Sequence, residues 1–365
     1  MSEDRRRSSV TYRLAGPEDD AEMRVALREN SMDSWVAATT EHEPSCFAGN
    51  EPGRFVPMIG RKTEHPHELV GLYSCRIMPV HVEGQELKAC YLGGLRLCEK
   101  YRGRIDVLKG GFASIPCLLP EVREIPLIFT SIARENRQAR RVLEAGLKGM
   151  PRYHFLGDME TLVVNVSRGR KLGLLKRAYP SDALEITAFY NSVTAFASLS
   201  PVLETEWLET MLQGSFMDFF IHRVGGRIKA CIAVWDQRAY KQIVVQSYRW
   251  PLGTLRLFHN LWASAAKRPF LPASGQRLEQ VFLAFRAFDD SVADKEVPFI
   301  LEALAAAGET GADSAMLGLS PSSPQYIELK RALKPYTYAT RIETVDLCSP
   351  SLHVGGLIQP EVALL

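Results

Sequence analysis

No apolar run in the sequence approaches the ~20 residues that a membrane-crossing helix requires, so no spanning segment is expected. Net charge is nearly absent too. The 44 Lys and Arg against 42 Asp and Glu leave +2, and a chain without a bulk positive field has little with which to recruit nucleic acid. The seven cysteines are odd in number and include no C-x-x-C pair, which argues against a zinc ribbon and a disulfide framework. As small hydrophobes in apolar surroundings they suit a reducing compartment. The opening MSEDRRRSS carries three arginines but no apolar signal core, so residues 1–9 read as a frayed, disordered polar terminus. The expectation is a soluble cytoplasmic protein with neither a membrane nor a nucleic-acid partner.

What is present is 365 residues, 46% of them apolar, a length that suits two average domains. The chain is organised around residues 87–104, LKACYLGGLRLCEKYRGR. An apolar strand over 89–97 runs into a basic turn, Tyr101-Arg102-Gly103-Arg104, and then into a segment of helical pattern. The first N–H groups of a helix have no partner within it and point at whatever occupies the preceding loop. Strand, basic turn and helix start therefore make an anion site, with phosphate its natural guest.

This run resembles the fourth strand and following turn of the GCN5-related N-acetyltransferase superfamily, in which an Arg/Gln-x-x-Gly-x-Gly/Ala loop wraps the pyrophosphate of acetyl-CoA. Arg102, Gly103 and Arg104 match its opening, while its later small positions fall on Ile105 and Val107. Glycine there would let the backbone approach without a Cβ in the way, so more of the contact is left to the guanidinium groups. The resemblance implies that acetyl-CoA, or another acyl-CoA, runs along Leu95, Arg96 and Leu97 and over Arg102, Gly103, Arg104, Ile105, Asp106 and Val107. Residues 133–139, ARENRQA, resemble the family's Glu-Asn-x-x-Ala segment. Asn136 would then bond near the pantetheine arm where two strands splay, a place for which a carboxamide offers donor and acceptor together; it also suits a helix cap.

The tyrosine that protonates the departing thiolate in many relatives falls here on Leu143, leaving Tyr153 as a substitute and Tyr101 as a poorer one. Some members of the superfamily use a C-terminal carboxylate to deprotonate the amine, which makes Leu365 a candidate base; Glu99 is another acid near the strand end. Main-chain N–H groups of the strand would polarise the thioester carbonyl. His65 and His67 lack a third ligand, so no metal is expected.

The remaining pattern divides the chain into a unit over 10–167, a connector over 168–180, a second and diverged unit over 181–347, and a tail over 348–365. In the first unit, strands over 54–59 and 69–82 flank a turn at 61–67. A hairpin turns at Gly84, a short or bent helix spans 105–119, and the strand over 161–166 completes the sheet. Residues 31–53 read as irregular and anchored by Trp35 and Phe47. In the second unit, Gly225-Gly226 hinges a hairpin, and strands and helices repeat the order of the first half. The counterpart of the phosphate turn, residues 285–291, has no glycine and carries two aspartates that would repel pyrophosphate.

The fold expected is α+β, two tandem acyl-CoA N-acyltransferase-like units, each a mixed, mostly antiparallel sheet flanked by helices. The chemistry implied is direct transfer of an acyl group, acetyl above all, from acyl-CoA to the amine of a small-molecule or peptide acceptor. Two alternatives stand beside it: a non-catalytic acyl-CoA-binding scaffold, favoured by Ile105, Val107 and Leu143, and a longer-chain acyltransferase, favoured if an apolar tunnel lies beside residues 89–97. Exposed sheet edges leave a homodimer open.

Overall fold

The computed structural model describes residues 9–31 and 36–365. Its strands are β1 Val10–Leu14, β2 Val36–Glu41, β3 Arg54–Lys62, β4 His65–Val82, β5 Gln85–Leu97, β6 Leu127–Ala133, β7 Arg152–Asn165, β8 Lys176–Arg177, β9 Asp218–Val224, β10 Arg227–Trp235, β11 Gln242–Tyr248, β12 Gln280–Phe288, β13 Ser314–Leu319 and β14 Tyr336–Asp346. The helices are α1 Asp20–Glu29, α2 Ile105–Leu118, α3 Arg137–Leu143, α4 Ala183–Thr194, α5 Thr205–Gln213, α6 Leu252–Ala266, α7 Glu296–Glu309 and α8 Tyr326–Leu333.

Twelve strands form one sheet in the order β1-β3-β4-β5-β6-β14-β7-β13-β12-β10-β9-β8. Read inward from its two edges, the order is the same device twice: β1, β3, β4, β5, β6 from one side and β8, β9, β10, β12, β13 from the other. Each half then lends its last strand to its neighbour. β7 pairs antiparallel with β13, Asn165 opposite Ser314 and Glu160 opposite Leu319, while β14 pairs with β6 through Thr344↔Phe129 to Thr340↔Ala133. β7 and β14 pair with each other along the whole of β14. The strand expected to close the first half's own sheet is therefore separated from β6 by a strand of the second half. Alternation of apolar residues identifies a strand and its buried face, but not its neighbours.

One face of the first half packs under α2, with Ile115 and Leu119 against Cys90, Ile128 and Val345. The opposite face belongs to a larger core in which α4 and α5 bring Ile186, Tyr190, Leu208 and Met211 onto Ala89, Phe129, Met159 and Trp235. Fully buried side chains of this size contribute roughly 1.5–3 kcal/mol each, so this two-sided core holds the halves together. At the sheet edge, buried Asp19 accepts from Arg13 at 2.7 Å and from Arg61 at 2.9 Å, tying α1 to β1 and β3. Burial, the largest influence on Asp19, raises its pKa; the bonds from Arg13, the Gly16 N–H and Arg61 outweigh it and hold the group at about 2.

Several local readings are corrected. The turn between β3 and β4 is only residues 63–64, and His65 and His67 lie exposed in β4. Residues 36–41 are not irregular but form β2, which pairs antiparallel with β11 of the second half. Trp35 falls outside the described residues; Phe47 is exposed, and Cys46 beside it is buried against α1 instead. α2 runs a full 14 residues despite Pro116. Its Gly110 is needed for contact, because a Cβ there would lie 2.7 Å from the Tyr12 hydroxyl. That hydroxyl donates to the Val107 carbonyl at 2.6 Å, locking β1 onto the helix. The connector is bonded, since Glu302 of α7 accepts from the N–H groups of Gly173, Leu174 and Leu175. The glycine hinge holds as read, with Gly225 and Gly226 at φ of 59° and 82° joining β9 to β10.

Candidate active site

The site begins where two parallel strands part. β5 and β6 pair from Ala89↔Leu127 to Leu92↔Thr130 and no further. The Thr130 hydroxyl takes the Leu92 carbonyl at 2.7 Å and closes the last rung. Beyond it β5 follows β4 to Leu97 and β6 follows β14 to Ala133. Tyr73 of β4 faces two residues of β5, Gly94 and Leu95, a β-bulge that turns the strand away. Gly94 stands there at φ of 64°, where a side chain is disfavoured.

On the α2 face, the parted strands lead to the basic turn. Gly103, at φ of 80° with open space around it, lets the chain reverse between Arg102 and Arg104. Arg102 donates to Asn30 at 2.9 Å. Val107, which the sequence marked as an obstruction, points inward among Val10, Val70 and Tyr101, whereas Ile105 stays exposed at the helix start. The basic turn is not without an acid. Asp106 binds Arg104 through two bonds of 2.8 and 2.6 Å. Arg104 above all, and then its own and the Val107 N–H groups, hold the Asp106 carboxyl below its ordinary range although burial opposes this. Arg104 is thus paired with the chain's own carboxylate at the start of α2.

Asn136 caps α3, its side-chain oxygen accepting from the Ala139 N–H at 3.0 Å. Leu143 is buried. Tyr153 lies in the apolar cluster beneath α2, ring to ring with Phe112 at 6.4 Å. It pairs with Val345 of β14 and lies on β7, two strands from β6. Burial pushes its phenol well up, so it stays protonated. Tyr91 is better situated: on β5, one residue before the last rung, its hydroxyl meets Ser131 of β6 at 2.7 Å. Burial raises its pKa as well. Glu99 is exposed, lining a cavity of about 550 Å³ with Arg28, Asn30, Cys98 and Gln246.

On the opposite face the structure gathers charged side chains from five segments. Arg76 of β4, in the register of Tyr91, pairs with Glu51 at 3.5 Å. Arg96 is a half-buried guanidinium; among the described residues it has no carboxylate partner and donates to the carbonyl of Leu95 at 2.9 Å. Burial lowers its pKa, with Tyr91 opposing. Lys241 donates to the Leu365 oxygen at 3.3 Å. Burial lowers the Lys241 pKa and Glu51 opposes it. His42 feels Lys241, Glu51 and Arg76, and burial above all holds its pKa at about 4, so the imidazole is neutral near pH 7. Apart from Arg96 and Leu365, these residues carried no signal in the sequence. They converge only because β2 and its flanking loop reach across to β11.

The tail reaches this point by filling the second half. β12 and β13 part after Phe282↔Met316 just as β5 and β6 do, and Phe285, at φ of 48°, occupies the bulge position of Gly94. Here the gap is plugged. Glu361 accepts the Phe285 N–H at 2.9 Å, and Val362, Ala363 and Leu364 are buried in the core. A Cβ on Gly318 of β13 would lie 2.5 Å from Val362. In the neighbouring turn, Asp289 caps a 3-10 segment and binds Lys229 at 3.0 Å.

No protein-family model matches the sequence, and no curated protein matches it. Solved structures do match the fold. N-myristoyltransferase of Saccharomyces cerevisiae with bound myristoyl-CoA superimposes with a TM-score of 0.59 at 11% identity, over 93% of this chain and 83% of that one. The same enzyme with myristoyl-CoA and inhibitors gives 0.60 at 12% identity, over 93% and 80%. A conserved protein of Enterococcus faecalis V583 described as a probable N-acyltransferase gives 0.50 at 11%, over 92% and 72%. At such identities the likeness is one of fold alone.

Proposed function

We propose that the protein is an N-acyltransferase that moves an acyl group directly from acyl-CoA to an amine. The observation that carries this reading is the parting of β5 and β6 after Leu92↔Thr130, with a basic helix start on one face and a gathered charged site on the other. The diphosphate would lie on Arg102, Gly103, Arg104 and the first N–H groups of α2. Leu95, Arg96 and Leu97 would flank the pantetheine, and Asn136 would offer it the amide hydrogens that the cap leaves over. The second half, its gap taken by residues 361–364, would hold no second CoA.

In the reaction the neutral amine attacks the thioester carbonyl carbon, and the carbonyl electrons move onto oxygen. Main-chain N–H groups at the β5 bulge would receive that charge. The C–S bond then breaks, the amide remains on the acceptor, and the CoA thiolate takes up a proton. The proton leaving the amine goes to the Leu365 carboxylate, held by Lys241. We assign the thiolate's proton to Tyr91 in preference to Tyr153, because Tyr91 borders the opening.

An acetyl-sized group is the first reading, since Ala89 and Leu92 of β5 are buried in closed packing on both faces. The likeness in fold to an enzyme solved with myristoyl-CoA favours a longer chain as the second. Thermal shift with CoA, acetyl-CoA and longer acyl-CoAs separates the two. Stabilisation by none of them would sink the acyl-CoA reading altogether. Thiol release over a panel of small and peptide amines then distinguishes an enzyme from a scaffold.

A further inference from the structure

Helix α6 is turned inside out. Its inner side is polar and small: Arg256 donates to the Leu271 carbonyl, Asn260 donates to the same carbonyl and accepts from the Leu271 N–H, His259 meets the Tyr336 hydroxyl at 2.7 Å, and Ala263 is fully buried. The outer side is apolar. Leu257, Phe258 and Leu261 are 70%, 73% and 76% exposed, and Trp250 and Trp262 flank them at 80% and 53%. An exposed apolar cluster of this size on a surface helix marks a contact with something else.

The charge around it says what. From residue 237 to residue 278 the chain contains seven Lys and Arg and no Asp or Glu. At the C-terminal end of α6, Arg168 donates to the carbonyls of Ala266 and Lys267, and Arg268 donates to the carbonyl of Pro335, next to exposed Lys334. Four cations therefore rim one end of the apolar face. The carboxylates nearby, Glu279 and Asp313, lie in the groove along the inner side, and Glu279 is taken by Arg238 and Arg277.

We propose that α6 docks flat on an anionic lipid surface, its leucines and Phe258 in the acyl boundary, its tryptophans at headgroup level and its basic rim on lipid phosphates. An apolar helix face bounded by tryptophan and basic residues is the pattern that lies in a membrane interface. A second copy fits less well, because patch against patch would oppose two cationic rims, the nearby carboxylates Glu279 and Asp313 lying in the inner groove. No helix among the described residues is long and apolar enough to cross a membrane. The absence of a spanning segment, on which the expectation of no membrane partner rests, excludes a crossing helix but not docking. The inference stands whether or not the protein transfers acyl groups.

The test is sedimentation of the full chain with vesicles of pure phosphatidylcholine and of phosphatidylcholine with one quarter phosphatidylglycerol. Binding should be at least about tenfold stronger to the anionic vesicles and should fall with added salt, as interfacial cations lose about fivefold each when screened or removed. The Leu257→Glu/Leu261→Glu double variant should lose binding with an unchanged melting temperature, since both side chains are exposed. Lys267→Glu/Lys334→Glu should weaken it without touching the apolar face. Equal binding to the two compositions, no binding to either, or variants that bind as the parent does would each overturn the proposal. So would a concentration-dependent dimer that the leucine variant disperses, which would give the face to a second copy.

Discussion

Removing a charge from the phosphate turn should tighten binding rather than loosen it. Asp106 sits on the first turn of α2 with its carboxylate on Arg104, so an incoming diphosphate must displace it from Arg104 or tolerate it. A unit charge roughly 5 Å from a group carrying about two negative charges costs about 1–2 kcal/mol in water-like surroundings. Screening at physiological ionic strength, with a Debye length of about 8 Å, trims this to about 1 kcal/mol. Asp106→Asn is therefore expected to bind CoA about fivefold more tightly by calorimetry, and the gain should shrink in ~1 M salt, where the Debye length is about 3 Å. The unliganded variant should be slightly less stable, because an acid at a helix start contributes about 0.3–1 kcal/mol. Affinity and stability thus move in opposite directions, a combination that general damage to the fold would not produce. An Asp106→Asn protein whose CoA affinity is unchanged or weaker at every salt concentration would refute the placement of the diphosphate on this turn.

Three further outcomes are expected. Extending the chain by one glycine after Leu365 moves the carboxylate away from Lys241; amine acylation should fall about 10²-fold with CoA affinity retained, and full activity would remove Leu365 from the mechanism. Tyr91→Phe should lower the turnover of thiol release about 10²-fold while Tyr153→Phe leaves it within about twofold, and the reverse ranking would return the acid to Tyr153. Asp19, held at about 2 against an ordinary 3.8, contributes stability that is complete above about pH 4 and is lost as pH falls toward 2. The shift corresponds to about 2 kcal/mol. Asp19→Asn should lose about that much at pH 7, measured by urea unfolding, and should flatten the acid limb of the stability profile.

The architecture was legible where periodicity and turn chemistry agree. The hairpin at Gly225-Gly226 and the strand β13, Ser314–Leu319, announce themselves through local pattern. α6 did not, because its apolar residues face solvent and no core contact disciplines their spacing. β2 was hidden in a stretch whose only strand partner among the described residues lies in the other half. The basic turn could be read from Arg102, Gly103 and Arg104, yet the pairing of Asp106 with Arg104 could not, since a carboxylate at a helix start has the same sequence signature as an ordinary cap. His42, Glu51, Arg76 and Lys241 were invisible for a plainer reason: residues that meet only through tertiary structure leave no spacing to find.

The exchange of last strands sets an order of assembly. As the protein emerges from the ribosome, β6 has no hydrogen-bonding neighbour on its outer side until β14, Tyr336–Asp346, has been made, and β7 waits in the same way for β13 and β14. A nascent first half would carry an unpaired strand edge until then, which invites pairing with other chains. The fragment 10–167 made alone should consequently aggregate or remain partly folded, and supplying residues 168–365 in trans should rescue it. Holding that edge in check until the final strands arrive is a task for which a cell would need a chaperone.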